Sequence, residues 1–139
     1  MSLLLDTMVV SELRNAADGR AEPAFAAWAE STSLATAFIS VVTLEEIERG
    51  ILLAERKDRA ASAVYRRWLG IVLTQFDARI LDVDRRVAFQ AARYHVPDPS
   101  PFADALIAAT AAVAGLAVAT RNETHFRRFG VPLVNPWEP

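Results

Sequence analysis

Cysteine is absent from this chain of 139 residues, which excludes a disulfide framework and any thiol-based catalysis. Lysine is nearly absent as well: Lys57 stands alone, so the basic side chains are almost all arginine, the better bidentate ligand for phosphate. A GC-rich genome would produce the same excess of arginine and alanine with no function attached. Neither sign of charge dominates. The formal net charge of −2 and pI near 5.7 argue against a protein that coats nucleic acid by electrostatics alone, but they leave room for an acidic nuclease site neutralised by bound cations. Long hydrophobic runs are missing too. The longest, 105–119, contains Thr110 and Gly115 and is too short and too alanine-rich to span a bilayer. Met1 leads into an apolar stretch without the basic start and cleavage site of a signal peptide, so the expected location is the cytoplasm, with no membrane segment. Repeats and low-complexity segments are absent.

What is present is a 53% apolar composition, enough for one domain with a real core over residues 1–139 and too little chain for two. Apolar runs at 2–5, 34–40, 79–83, 116–119 and 132–134 read as strands. Between them, helical patterns begin near Thr7, Pro23, Thr43, Glu55, Asp84, Pro101 and Glu123. Strand alternates with helix throughout. Uninterrupted apolar strands in that alternation predict an α/β fold, a parallel sheet covered by helices on both faces. Phe25 and Trp28 belong to the core, and the segment 55–76 carries Arg56, Lys57, Arg59, Arg66 and Arg67 outward and Val64, Trp68, Ile71 and Val72 inward. This basic face reads first as a solvated surface pairing with Glu55 and Asp58.

The stretch SPFADALIAATAAVAGLAVATRNE organises the rest. Ser100 is a candidate cap, Pro101 suits a first turn and Gly115 suits a left-handed exit, so the helix between them is bounded at both ends. Asp104 is its only charge, in the first turn of an otherwise apolar and therefore buried helix. Asp6 closes the first strand, where α/β sheets bind ligands, although it equally suits the cap of the next helix. Glu46 has two readings. Thr43-Leu44-Glu45-Glu46 matches a capping box, but Gly50 lies on the same helix face and costs about 1 kcal/mol against alanine, which suggests that something packs closely there. Asn122 follows the fourth strand. His95 and His125 lack a second ligand at metal spacing and read as surface residues.

Carboxylates gathered from separate elements repel one another unless a hard cation lies among them, and Mg²⁺ or Mn²⁺ takes oxygen ligands while keeping waters for a substrate phosphate. Metal-assisted phosphodiester hydrolysis is the chemistry such a cluster serves.

The segments LLLDTMVVSEL, ISVVTLEEIERG, FADALIAATA and VATRNETHF, in that order, resemble the PIN-domain toxins of VapBC-type toxin–antitoxin pairs, and the closing VNPW resembles their FitB-like subgroup. The resemblance covers nearly the whole chain. It implies a three-layer α/β/α sandwich with a mostly parallel five-stranded sheet, a Mg²⁺-dependent endoribonuclease acting on RNA, a homodimer, and a cognate antitoxin through which the complex reaches operator DNA. The family's acidic positions fall on Asp6, Glu46 and Asp104 as metal ligands and catalytic residues, with Asn122 where an acid is often found. Met8 stands where the family commonly has Asn. Asn122 either offers a carbonyl oxygen to metal or water or caps the helix that follows, so one well-held ion is expected.

Two other readings compete. A receiver-like module would bind Mg²⁺ in an acid cluster, but it wants a lysine near the last strand and Lys57 lies in a helix. A non-catalytic partner-binding domain would keep the fold and lose the metal dependence.

Overall fold

The computed structural model describes residues 2–139. Each strand is short, β1, β2 and β4 are buried, and every strand but the last leads into a helix. β1 (Leu3–Leu5) leads to α1 (Thr7–Ala17) and α2 (Pro23–Ser31). β2 (Ile39–Ser40) leads to α3 (Val41–Lys57) and α4 (Arg59–Phe76), and β3 (Ile80–Leu81) to α5 (Arg85–Arg93) and α6 (Phe102–Ala114). β4 (Ala117–Ala119), α7 (Glu123–Phe126) and β5 (Leu133–Val134) complete the chain.

All strand pairs are parallel. β1 pairs with β4 and β4 with β5, while β2 pairs with β3. The two groups join where Phe38 exchanges backbone bonds with β1, Leu5 N to Phe38 O at 2.9 Å and Phe38 N to Leu3 O at 2.8 Å. The sheet therefore runs β3-β2-β1-β4-β5. Strand order reverses between β1 and β4, and in such sheets the crevice at the carboxyl ends of those two strands is where ligands bind.

Side-chain alternation sends neighbouring β1 residues to opposite faces. Leu3 and Leu5 pack with Val9, Phe25, Trp28, Ile47, Ile51, Leu69, Val72 and Phe76 under α1 to α4. Leu4 packs with Ile107, Ala108, Ala111, Phe126 and Phe129 under α6 and α7. This is the expected α/β/α sandwich. α5 lies outside α6, with Val87 and Ala91 against Ala109.

Four local expectations are corrected. The segment 55–76 is two helices broken at Asp58, whose extended backbone (φ −156°, ψ 99°) ends α3 and whose carboxylate caps α4 by accepting from Ala61 N at 3.0 Å. Val64 and Ile71 face solvent, because α4 presents Leu69, Val72 and Phe76 to the core instead. Ser100 caps nothing: it lies before Pro101, and its hydroxyl donates to Tyr94 O at 2.5 Å. Strand two shrinks at its start, where 34–36 forms a 3-10 turn whose Ala37 N closes on Leu34 O.

Candidate functional site

Asp6 follows β1 directly and sits at the switch point. One carboxylate oxygen accepts from Thr7 N at 2.8 Å as the cap of α1, and the other accepts from Thr120 Oγ1 at 2.7 Å. Both readings of this residue hold together, since a capping carboxylate can keep further lone pairs toward the crevice. Asp6 is 7% exposed. Burial pushes its carboxyl above the usual range; the two hydrogen bonds oppose this, and the negative charges of Asp104 and Glu46 add to it.

Glu46 reaches the site through Thr7. Thr7 Oγ1 donates to Glu46 Oε1 at 2.6 Å and stands 3.0 Å from Thr43 Oγ1, which must then be its donor. The capping box is not formed. α3 begins at Val41, capped by Ser40, which accepts from Val42 N at 3.0 Å, so Thr43 lies inside the helix with its side chain turned to Thr7. Nothing packs closely on Gly50 either: an added Cβ would meet no atom within 4 Å. Gly50 instead lines an open cavity of about 400 Å³ together with Thr7, Ser11, Glu46, Tyr65 and Trp68. Glu45 points away and pairs with Arg49 at 2.5 Å on the surface.

Asp104 occupies the first turn of α6, as the sequence predicts, and its side chain is 20% exposed. His125 Nδ1 lies 3.3 Å from Asp104 Oδ2 and 2.6 Å from the Asn122 amide. Asn122 occupies the N-cap position of α7 but makes no side-chain cap bond, because its amide is turned to His125. Its backbone N donates to Thr120 Oγ1 at 2.9 Å. A chain of contacts thus runs from Asp6 through Thr120 and Asn122 to His125 and Asp104.

Sequence reasoning missed three members of this network. His125 is the surface residue the sequence predicts, but its partner Asp104 is 21 residues away in sequence and arrives only through the fold. Thr7 lies two residues beyond β1, next to Asp6, and Thr120 lies one residue beyond β4, two before Asn122; that nearness to strand ends is the available signal.

The three acids offer carboxylate oxygen, which suits a hard divalent cation. None of the three acids holds an Arg or Lys partner among the described residues, although Glu45, Glu48 and Glu55 on the neighbouring surface all do. Among the described residues, no group of three or more His, Asp or Glu side chains stands close enough to form a complete ligand shell. The arrangement fits an ion held by one or two carboxylates and otherwise hydrated. The strand order also separates the fold from receivers, whose sheets run 2-1-3-4-5.

Residues 3–132 match the PIN domain. The VapC ribonuclease Y4jK of Sinorhizobium fredii is 32% identical over 99% of both chains. Toxin FitB of Neisseria gonorrhoeae is 33% identical over 97% of this chain and 98% of that one. The crystal structure of FitAcB from the same organism superposes with a TM-score of 0.84 at 30% identity, covering 99% of each chain. The structure of FitAB bound to the IR36 DNA fragment gives 0.78 at 31% identity over 97% of this chain and 95% of that one. No helix among the described residues is long and apolar enough to cross a membrane. With this match running from β1 to the residue before β5, and with relatives over 30% identical along nearly the whole chain, the chain belongs to the PIN-domain family.

Proposed function

We infer that this chain is a metal-dependent endoribonuclease, the toxin of a toxin–antitoxin pair, working as a single PIN-like domain in the cytoplasm. What supports the reading is that Asp6 lies at the sheet's switch point within the electrostatic reach of Asp104 and Glu46, with no Arg or Lys partner on any of the three among the described residues. Leaving like charges together costs folding energy, and that cost is tolerated where a substrate-bound or resident cation offsets it.

Asp6 and Asp104 would hold Mg²⁺, or Mn²⁺, with Glu46 reaching it directly or through water. When bound, such an ion acidifies water and offsets charge on the scissile phosphate. The chain's own residues set the geometry. Thr7 and Thr120 hold the Asp6 carboxylate in one orientation through its two oxygens. Thr7 also fixes Glu46 by Oε1, leaving Oε2 as the atom that takes a proton from the attacking water as a new P–O bond forms and the RNA ester bond breaks. Thr43 completes the second of these supports.

Support for the partners comes from the relatives. One is named a ribonuclease and one a toxin, and FitAB is solved bound to DNA. This supports RNA as substrate, a cognate antitoxin as inhibitor, and contact with operator DNA through that antitoxin alone. A homodimer accounts for the large apolar side chains left in water, Phe89 at 70%, Phe102 at 73% and Val96 at 75% exposure.

The test is cleavage of a mixed RNA pool with Mg²⁺, with EDTA, and by the Asp104→Asn protein. Cleavage is expected in the first case alone. Undiminished cleavage in EDTA or by a correctly folded Asp104→Asn protein removes the metal-site reading.

A further inference from the structure

His125 Nδ1 faces two groups at once, and only one arrangement of hydrogens satisfies both. With the Asn122 amide nitrogen against the ring at 2.6 Å, Nδ1 must accept, and its single lone pair is then used. The Asp104 carboxylate oxygen 3.3 Å from the same nitrogen would face no hydrogen at all. The two ends of an amide are alike in shape, so their assignment follows from the network. Turning the amide by half a rotation places Oδ1 against the ring. Nδ1–H then donates to two oxygens, Asn122 Oδ1 and Asp104 Oδ2, and both contacts of the ring nitrogen are accounted for.

This has a chemical consequence for Asn122. Its oxygen is committed to His125, so it is not free to ligate a cation, and its NH₂ group is turned the other way. That NH₂ points away from the histidine ring. Asn122 is half-buried and is linked to Asp6 through Thr120 and to Asp104 through His125, so its turned NH₂ is a neutral donor beside the acids. We propose that Asn122 is a donor to a non-bridging phosphate oxygen of the RNA backbone, and that His125 is the positioning residue that turns its amide to face the substrate. A neutral double donor suits this place. It grips an anionic phosphate without cancelling the negative charge that holds the cation. The proposal rests on the ribonuclease reading above and assigns the neutral residue of the site a substrate role in place of a metal-ligand role.

Two measurements test it. The histidines are predicted to hold opposite tautomers, because His95 Nδ1 accepts from Ser100 N at 3.1 Å and so carries no hydrogen. Long-range ¹⁵N–¹H correlation at about pH 8, where ordinary histidine is neutral, should show a protonated-type Nδ1 for His125 and an unprotonated type for His95. An unprotonated His125 Nδ1 overturns the proposal.

The second measurement is binding of a short fluorescein-labelled RNA pool of mixed sequence in EDTA, alongside Mn²⁺ titration without RNA. Loss of a hydrogen bond to a charged group should weaken RNA binding by on the order of tenfold in Asn122→Ala, and equally in His125→Ala. The double variant should bind no more weakly than either single one. His125→Asn, whose amide N–H reaches the place of Nδ1–H, should restore binding to within about twofold. Mn²⁺ affinity should fall in Asp104→Asn and stay at the wild-type level in Asn122→Ala. A loss of Mn²⁺ affinity in Asn122→Ala with unchanged RNA binding makes Asn122 a metal ligand and sinks the proposal. Wild type that fails to cleave the pool with Mg²⁺ sinks the ribonuclease reading and this inference together; wild type that cleaves while Asn122→Ala binds RNA normally sinks this inference alone. Should His125→Ala fail to fold, His125→Asn and the tautomer measurement still decide.

Discussion

At the scale of single residues, Asp6 bears the largest conflict in the molecule. Its carboxyl is raised above the ordinary value of 3.8, first by burial and further by the charges of Asp104 and Glu46, against hydrogen bonds from Thr120 and Thr7. Ionising it therefore costs folding energy. Below the ordinary value the acid is protonated in both states and no penalty exists; as pH rises through the folded-state value, that stability is lost. In EDTA, Asp6→Asn should melt above wild type at neutral pH, with the gap closing as pH falls toward 3.8. Thermal melts across that range check it, and a variant melting below wild type at neutral pH would mean that the two hydrogen bonds outweigh burial. Glu46 gives a cleaner separation of charge from shape. Glu46→Gln keeps an acceptor for Thr7 Oγ1 and should change Tm little, while RNA cleavage falls by roughly a hundredfold as for loss of a general base. Glu45→Gln, which loses only an exposed pair with Arg49, should cleave normally. Loss of cleavage in the Glu45 variant instead would place the active carboxylate one residue earlier on α3.

At the scale of elements, helix ends place the acids, and the glycine that ends α6 is a sharp example. Gly115 adopts φ 71°, ψ 34°, and its N–H bonds back to Ala111 and Ala112 before β4 begins. A side chain at this left-handed position costs about 1–2 kcal/mol, so Gly115→Ala should lower stability by that amount in urea unfolding. No neighbour lies within 4 Å of the added Cβ, so a larger loss would point to a clash the structure does not show. This boundary was legible because glycine after an apolar helix has one dominant local explanation. The break at Asp58 was not. Glu55, Arg56 and Lys57 continue the helical pattern, and Asp58 interrupts it only by capping the next helix, a choice set by the packing of α3 against α4. Arg66 then ties these helices, bonding both Glu48 and Glu55, while Arg56, Lys57, Arg59 and Arg67 form no ion pair among the described residues. The outward turn of Val64 and Ile71 was equally hidden, since periodicity marks an apolar stripe without saying which part of it meets the core.

At the scale of the whole molecule, strand order carries residues that are far apart in sequence to one end of the sheet. Asp6 and Asn122 are far apart in sequence, yet both follow strands that meet at the switch point, and Asp104 enters from α6 on the sheet's second face. Strand positions and carboxyl ends could be read from the chain, which made the acids legible; pairings such as His125 with Asp104 depend on how layers stack and could not. On the proposed function, that placement makes metal binding a property of the folded state alone. An unfolded chain scatters these acids, so an ion that binds the native site stabilises the fold by mass action. At about a hundredfold excess over Kd this contributes about 2.7 kcal/mol, several degrees in Tm for a chain of this size. Mg²⁺ or Mn²⁺ should therefore raise the Tm of wild type in a concentration-dependent way, and the rise should disappear in Asp6→Asn and Asp104→Asn while surviving in Glu45→Gln. Differential scanning calorimetry with and without the ion reads this without any RNA, so it tests the site independently of catalysis. A wild type whose Tm ignores both ions, or an Asp6→Asn protein that responds as wild type does, would leave the acids of the crevice as a partner-binding surface and not as a metal centre.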